Sequence, residues 1–249
     1  MTTAENIQSA MLALKDEEQA RHLMRFFKCG KGDYGEGDRF LGLRNPQTRE
    51  IVKRFRDEAE LSDCLTLVES PYHEIRFAGF LLMIEIFNRY RRKKDEEGMR
   101  TATACYIESI PRGNNWDLVD VIAPHILGEW LLRHPEEAGI LQEFADRADS
   151  LWHQRVGIVT NWMLIRRGHY EEIFPIAEKM LTHTHDLIHK ATGWMLREGG
   201  KRDLDRLLHF LDRHAPRMPR TMLRYTIEKL PSPLRHHYLT LPRSPKNKN

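Results

Sequence analysis

Five charged residues, each set inside an apolar helical segment, return along this chain at the period of a helical repeat: Arg76, Asp120, Arg155, Lys190 and Arg224. Subtracting residue numbers gives separations of 44, 35, 35 and 34. A two-helix repeat that stacks on copies of itself puts equivalent positions in a row along one face. The register predicts an all-α stack of helical pairs, a solenoid rather than a bundle. A row of Lys and Arg on its inner face suits a polyanion, because such cations neutralise phosphates and release counterions. Asp120 breaks the row. Phosphate repels a carboxylate there unless it has a task of its own.

Helical periodicity dominates the rest of the chain. Apolar residues recur at three- and four-residue steps in Ile7 to Phe27, Ile75 to Phe87, Leu118 to Leu132, Val156 to Ile165 and Leu187 to Leu196. Breakers separate these runs at Ser70-Pro71, Pro111-Arg112-Gly113, His134-Pro135, Arg167-Gly168, Gly199-Gly200, Ala215-Pro216 and Pro231-Ser232-Pro233. Their spacing implies about a dozen helices joined by short turns. No alternating strand pattern stands out. The glycine-rich stretch Lys28 to Asn45 must loop, and lacks the GK[ST] of a phosphate-binding P-loop. The expected organisation is one domain over residues 1–241, followed by a polar, basic, Pro-containing and disordered tail over 242–249.

Charge is informative locally and not in bulk. Lys and Arg number 39 against 36 Asp and Glu, a net charge of +3. From Arg197 to Arg235 there are ten bases and five acids, the local excess that a phosphate-binding surface requires. The three cysteines, Cys29, Cys64 and Cys105, have no CxxC pairing, which fits a reducing compartment and argues against a disulfide framework or thiolate metal site. Glu5 and Asp16 stand where a signal peptide would carry bases, and the longest wholly apolar stretch, Phe77 to Ile84, is too short to span a bilayer. A cytoplasmic protein without membrane contact is expected.

Trp116 and Asp120 share a helix face at a four-residue spacing, and Trp194 follows Lys190 by the same step. An acid between indole faces suits cleavage of the bond between deoxyribose and a base. Positive charge develops on the sugar; a carboxylate stabilises it and orients or deprotonates water. Indole faces attract a cationic group where water is excluded. An alkylated purine carries such a charge and leaves with little general-acid help. Arg155 is placed to hold Asp120, a flanking phosphate, or both. A purely structural reading stands beside this one: helix tryptophans are commonly core residues, and Asp120 could cap a helix or pair with Arg155.

Other candidates are weaker. His185 and His189 share a helix face near His183, but no third ligand follows at a telling distance, so no metal is expected. No Gly-x-Ser-x-Gly elbow or Cys with a nearby His supports nucleophilic catalysis. The run Arg89 to Lys94 reads as a solvated helix end.

Several segments taken together resemble the AlkD-type DNA alkylation-repair glycosylases, which are built from HEAT-like helical repeats. They are Trp116-Asp117-Leu118-Val119-Asp120, Trp152-His153-Gln154-Arg155, and His189-Lys190-Ala191-Thr192-Gly193-Trp194-Met195-Leu196-Arg197-Glu198. The loop Tyr34-Gly35-Glu36-Gly37-Asp38, the segment Phe40-Leu41-Gly42-Leu43-Arg44-Asn45-Pro46 and the segment Met218 to Tyr225 agree in order and spacing. The resemblance runs from about Phe26 through Leu230.

It implies an α-solenoid of stacked HEAT-like two-helix repeats with a concave DNA-binding groove. The implied active-site residues are Asp120, Trp116, Trp194 and Arg155. The implied reaction is excision of positively charged N3- and N7-alkylpurines from double-stranded DNA, by hydrolysis of the N-glycosidic bond, with no metal or organic cofactor. Family members contact the lesion's sugar and backbone rather than enclosing a flipped base. Arg44, Asn45 and Pro46 match a family segment that touches DNA, and Arg76, Lys190, Arg197 and Arg224 are further expected contacts. Asn115 precedes Trp116 where related enzymes can carry another aromatic, which thins the expected groove wall. Related proteins include branches that bind DNA without excising bases, so a non-catalytic module for bent or branched DNA is the alternative, and a protein-interaction scaffold a third. Nothing in the residues sets the oligomeric state; monomer is the default for a DNA-wrapping solenoid.

Overall fold

A computed structural model describes residues 1–243. Of the expected tail, 244–249 lie outside the described residues. Contacts among the described residues group the chain into two compact units, Met1–Trp130 and one that begins at Leu131.

The first unit carries α1 (Thr3–Leu12), α2 (Glu17–Phe26), α3 (Asn45–Phe55), α4 (Leu61–Val68), α5 (His73–Lys93), α6 (Glu96–Ser109) and α7 (Trp116–Ile122). The helices start where capping chemistry says they should. Thr2 and Glu5 form a reciprocal capping box at α1, and Asp16 accepts from Glu18 N and Gln19 N at α2. These two caps also correct the sequence reading: the apolar run from Ile7 to Phe27 is two helices, because Asp16 starts a new one. The long helix α5 is the axis of the unit and packs against α3, α4, α6 and α7. Its apolar residues are therefore buried on nearly every side, Phe77, Phe80, Leu82, Met83, Ile86 and Phe87 among them.

After α7 the backbone passes through a π-helical turn, Pro124–Gly128, before α8 (Glu129–Leu131). Pro124 has no N–H to donate, and Gly128 N reaches Ala123 O across the widened turn.

The second unit carries α9 (Ile140–Asp146), α10 (Leu151–Val159), α11 (Asn161–Arg166), α12 (Ile173–Lys179), α13 (Asp186–Gly200), α14 (Leu204–His214), α15 (Arg220–Ile227) and α16 (Ser232–Thr240). Helix α13 is its axis and packs against α10, α12, α14 and α15. Among the described residues there is no strand; the extended pairing is one bridge between Arg39 and Tyr72.

The fold is all-α and built of helical pairs. The five register residues fall on α5, α7, α10, α13 and α15, and within each unit these helices are neighbours: α5 with α7, α10 with α13, and α13 with α15. Their depths in these helices agree to within one residue. Asp120, Arg155, Lys190 and Arg224 come four residues after the first residue of their helices (Trp116, Leu151, Asp186 and Arg220), and Arg76 three after His73. The period in the sequence is the period of the helical pairs.

Candidate nucleic-acid interface

Helix α7 begins with a self-contained cap. Asn115 is fully buried, and its side chain accepts from Trp116 N at 2.9 Å, while Asp117 Oδ1 accepts from Leu118 N at 2.9 Å. Trp116 is thus the first helical residue. Its half-buried indole packs 5.5 Å from the Phe27 ring and 6.1 Å from the Phe26 ring. Asp120 follows one turn later and is also half-buried. Tyr106 of α6 is fully buried, and both its burial and the Asp120 charge push its phenol far above the ordinary range.

Beneath Trp116 lies a buried ionic network that the sequence reading does not contain. His73 Nε2 is 2.9 Å from Asp117 Oδ2, and its Nδ1 is 3.5 Å from Asp38 Oδ2. Arg76 donates to Asp38 Oδ1 at 2.7 Å, Asn114 Oδ1 at 2.7 Å, Arg112 O at 3.1 Å and Ser70 O at 3.1 Å. With His73 protonated, two cations face two carboxylates and the group is neutral. Burial alone would drive the His73 imidazole down. The Asp117 charge and hydrogen bond, joined by Asp38, overcome it against opposition from Arg76 and raise His73 to about 9. Burial likewise raises Asp38, but hydrogen bonds from His73 and Asn114 and the Arg76 charge hold its carboxyl below the usual range. The His73 ring is stacked on Phe40, with centroids 4.6 Å apart, and Phe40 on Phe27 at 5.3 Å.

This network corrects one expected DNA contact. Arg76 is 5% exposed and four acceptors occupy its guanidinium, so it is a structural cation and not a phosphate ligand. Its neighbour Glu74 accepts from Leu41 N, Gly42 N and Leu43 N at 2.8 to 3.2 Å, which pins the glycine-rich loop to the start of α5. Gly42 is needed there: its φ is +91°, and a Cβ would collide with the Asp16 carbonyl. The loop delivers Arg44, Asn45 and Pro46, all exposed, to the first turn of α3.

In the second unit, Arg155 and Trp194 lie on packed helices. Arg155 is 4% exposed, and one of its N–H groups donates to Leu187 O of α13 at 2.5 Å. Trp194 is half-buried, one turn beyond Lys190. Between them Gly193 lets α15 close on α13, since a Cβ would meet Met222 O at 2.5 Å and the Tyr225 side chain at 2.6 Å. Lys190 pairs with Asp186 at 2.7 Å. Burial raises Asp186, but hydrogen bonds with Lys190 and Thr221 and the Lys190 charge hold it below its usual range. Arg197 is half-buried and pairs with Glu198 and Glu228. Arg224 is exposed on α15.

The three histidines at the start of α13 serve the backbone: His189 Nε2 meets His183 O at 2.5 Å, His183 Nδ1 accepts from His185 N, and His185 Nδ1 accepts from Leu187 N.

The sequence pattern of the DNA alkylation repair enzyme family matches residues 7–230. The chain belongs to that family. The match takes in every element described above except α16 and the first residues of α1. Among solved structures, a predicted DNA alkylation repair enzyme from Enterococcus faecalis is similar, with a TM-score of 0.69 and 18% identity over 88% of this chain and 97% of that one. At that identity the likeness shows the fold. Comparison with curated proteins gave no match. Among the described residues, no helix of this family member is long and apolar enough to cross a membrane.

Asp38, His73, Asn114 and Asp117 are the site-shaping residues that sequence reasoning missed. Asp117 lies inside the Trp116–Asp120 motif, but its partner His73 is 44 residues away, outside the reach of any local pattern.

Proposed function

We propose that this member of the DNA alkylation repair family is a monofunctional DNA glycosylase that removes N3- and N7-alkylpurines from duplex DNA. The observation that carries the reading is Asp120, half-buried one turn after Trp116 on α7. A carboxylate in such a setting stabilises charge on a sugar far better than one in open water. The C1′–N bond breaks with its electron pair going to the base, so a cationic 7-methylguanine leaves as a neutral molecule. Asp120 stabilises the sugar cation and orients the water whose oxygen attacks C1′; the water's second proton passes to the carboxylate or to solvent. Trp116 and Trp194 pack against the lesion nucleotide's sugar and backbone. Arg155, in the second unit, is assigned to a flanking phosphate. No metal or organic cofactor is required, since the substrate's own charge supplies the leaving-group activation.

Arg44, Asn45 and Pro46 contact the DNA backbone from α3, with Lys190, Arg197 and Arg224 contributing from α13 and α15. The protein acts as a monomer in the cytoplasm, on the nucleoid.

The test is release of free 7-methylguanine and 3-methyladenine from methylated duplex DNA, wild type beside Asp120→Asn. Release by the wild type and its loss in the variant would establish the activity and its acid together. No release by either protein, with DNA binding intact, would place the protein among non-catalytic DNA binders.

A further inference from the structure

His73 is the first residue of α5 and is 3% exposed. Its backbone N–H donates to Arg39 O at 2.8 Å, which ties it to the glycine-rich loop. Its ring stacks on Phe40 with centroids 4.6 Å apart and stands 5.0 Å from the Phe27 ring. Both ring nitrogens face carboxylates: Nε2 is 2.9 Å from Asp117 Oδ2, and Nδ1 is 3.5 Å from Asp38 Oδ2. Nδ1 and Asp38 Oδ2 are buried and make no other hydrogen bond among the described residues. A neutral imidazole donates from one nitrogen, an imidazolium from two. Only the protonated ring offers a donor to each acid.

Helix α7, which carries Trp116 and Asp120, has seven residues. So short a helix has little stability of its own, and its orientation is set by what grips its ends. Asp117 is the grip on its first turn: Oδ1 accepts from Leu118 N at 2.9 Å, and Oδ2 faces His73. Trp116 rests on a second support, 5.5 Å from Phe27, which is stacked on Phe40 at 5.3 Å. His73 therefore reaches Trp116 by two routes, through Asp117 and through the Phe40–Phe27 stack. An apolar ring in its place would extend that stack without desolvating a charge, so packing alone does not account for a buried cation there.

We propose that His73 is a positioning residue, which in its protonated form holds the first turn of α7 so that Trp116 and Asp120 present one fixed geometry to the lesion nucleotide. The part played in base release rests on the glycosylase reading. When the ring loses its proton, one of the two acids loses its donor and the first turn of α7 is released. The charged groups acting on His73 are Asp117 from α7, Asp38 from the loop and Arg76 from its own helix. Cys29 packs against the same aromatic cluster, but burial and the Asp38 charge push its thiol up to about 11. His73, raised to about 9, is thus the group that titrates first as the solution turns alkaline.

The experiment uses the full-length protein labelled with fluorotryptophan, with the Trp116 fluorine resonance identified by its loss in Trp116→Phe. That resonance is followed by NMR from about pH 7 to about pH 10 in the wild type and in His73→Gln. Circular dichroism at each pH checks that the helices remain. The expected result is a wild-type resonance that titrates with a midpoint near 9 and a His73→Gln resonance that does not move. Release of 3-methyladenine from methylated duplex DNA is measured beside it, in single turnover at saturating protein. His73→Gln should slow release by between about tenfold and a hundredfold without weakening duplex binding, and should lack the alkaline fall of the wild type. A purely structural role moves neither the Trp116 titration nor the rate in folded protein. A wild-type Trp116 resonance that stays fixed across the range overturns the inference, and so does a folded His73→Gln with the wild-type rate and pH profile. If His73→Gln does not fold, the wild-type titration decides alone. If the wild type releases no base but its Trp116 resonance titrates, the glycosylase reading fails and the positioning of Trp116 by His73 stands. If base release is intact and the resonance is fixed, His73 alone fails.

Discussion

His73 Nε2 lies 2.9 Å from Asp117 Oδ2, and this contact joins the first turn of α5 to the first turn of α7, one residue from Trp116. Both side chains are almost wholly buried. Removing one partner leaves the other charge in the interior without compensation, which costs about 3–5 kcal/mol. Asp117→Asn and His73→Ala should each lower stability by that order in chemical denaturation. Wild-type stability in both would show that the contact contributes nothing.

The same network sets a pH window. His73 is raised from 6.5 to about 9 in the folded protein, so its stabilisation is fully present below 6.5 and is lost as pH rises through about 9. The groups facing it are Asp117 of α7, Asp38 of the glycine-rich loop and Arg76 of α5. The linked change is on the order of 3 kcal/mol. Asp38 is depressed from 3.8, so its contribution is present above that value and is lost as pH falls through the lower folded one. Unfolding free energy measured across the alkaline range should fall in the wild type and stay flatter in His73→Gln; parallel curves would refute the assignment.

Gly193 sits where α13 and α15 touch, with Met222 O at 2.5 Å from the position of a Cβ. Gly193→Ala must push the helices apart beside Trp194 and should cost about 1–3 kcal/mol. A thermal unfolding midpoint equal to wild type would show that the pair can separate freely.

Arg44 and Arg76 make a matched pair of opposites. Arg44 is exposed at the start of α3; Arg76 is buried and bound by four acceptors. Arg44→Ala should weaken duplex binding and lower the salt slope by about 1. Arg76→Ala should reduce stability, and at permissive temperature leave the salt slope near wild type. The reverse pattern in a salt titration would return Arg76 to the interface.

The helices and their repeat were legible in the sequence because both are set locally. A helix shows as apolar residues at three- and four-residue steps, and the register of Arg76, Asp120, Arg155, Lys190 and Arg224 shows the helical pairs because each repeat places that position within one residue of the same depth. The family resemblance from Phe26 to Leu230 has the same origin, in order and spacing along one chain. Side-chain fate was not legible. At the same register position Arg76 and Arg155 are buried, Asp120 and Lys190 half-buried, and Arg224 exposed. Local pattern says that a residue holds the repeat position; it does not say whether an acceptor waits there. For Arg76 the acceptors are Asp38 and Asn114, each 38 residues away in opposite directions along the chain. Whether a cation serves phosphate or the fold is decided by which groups tertiary packing brings within 3 Å of it, because only there does a hydrogen bond outweigh the loss of water.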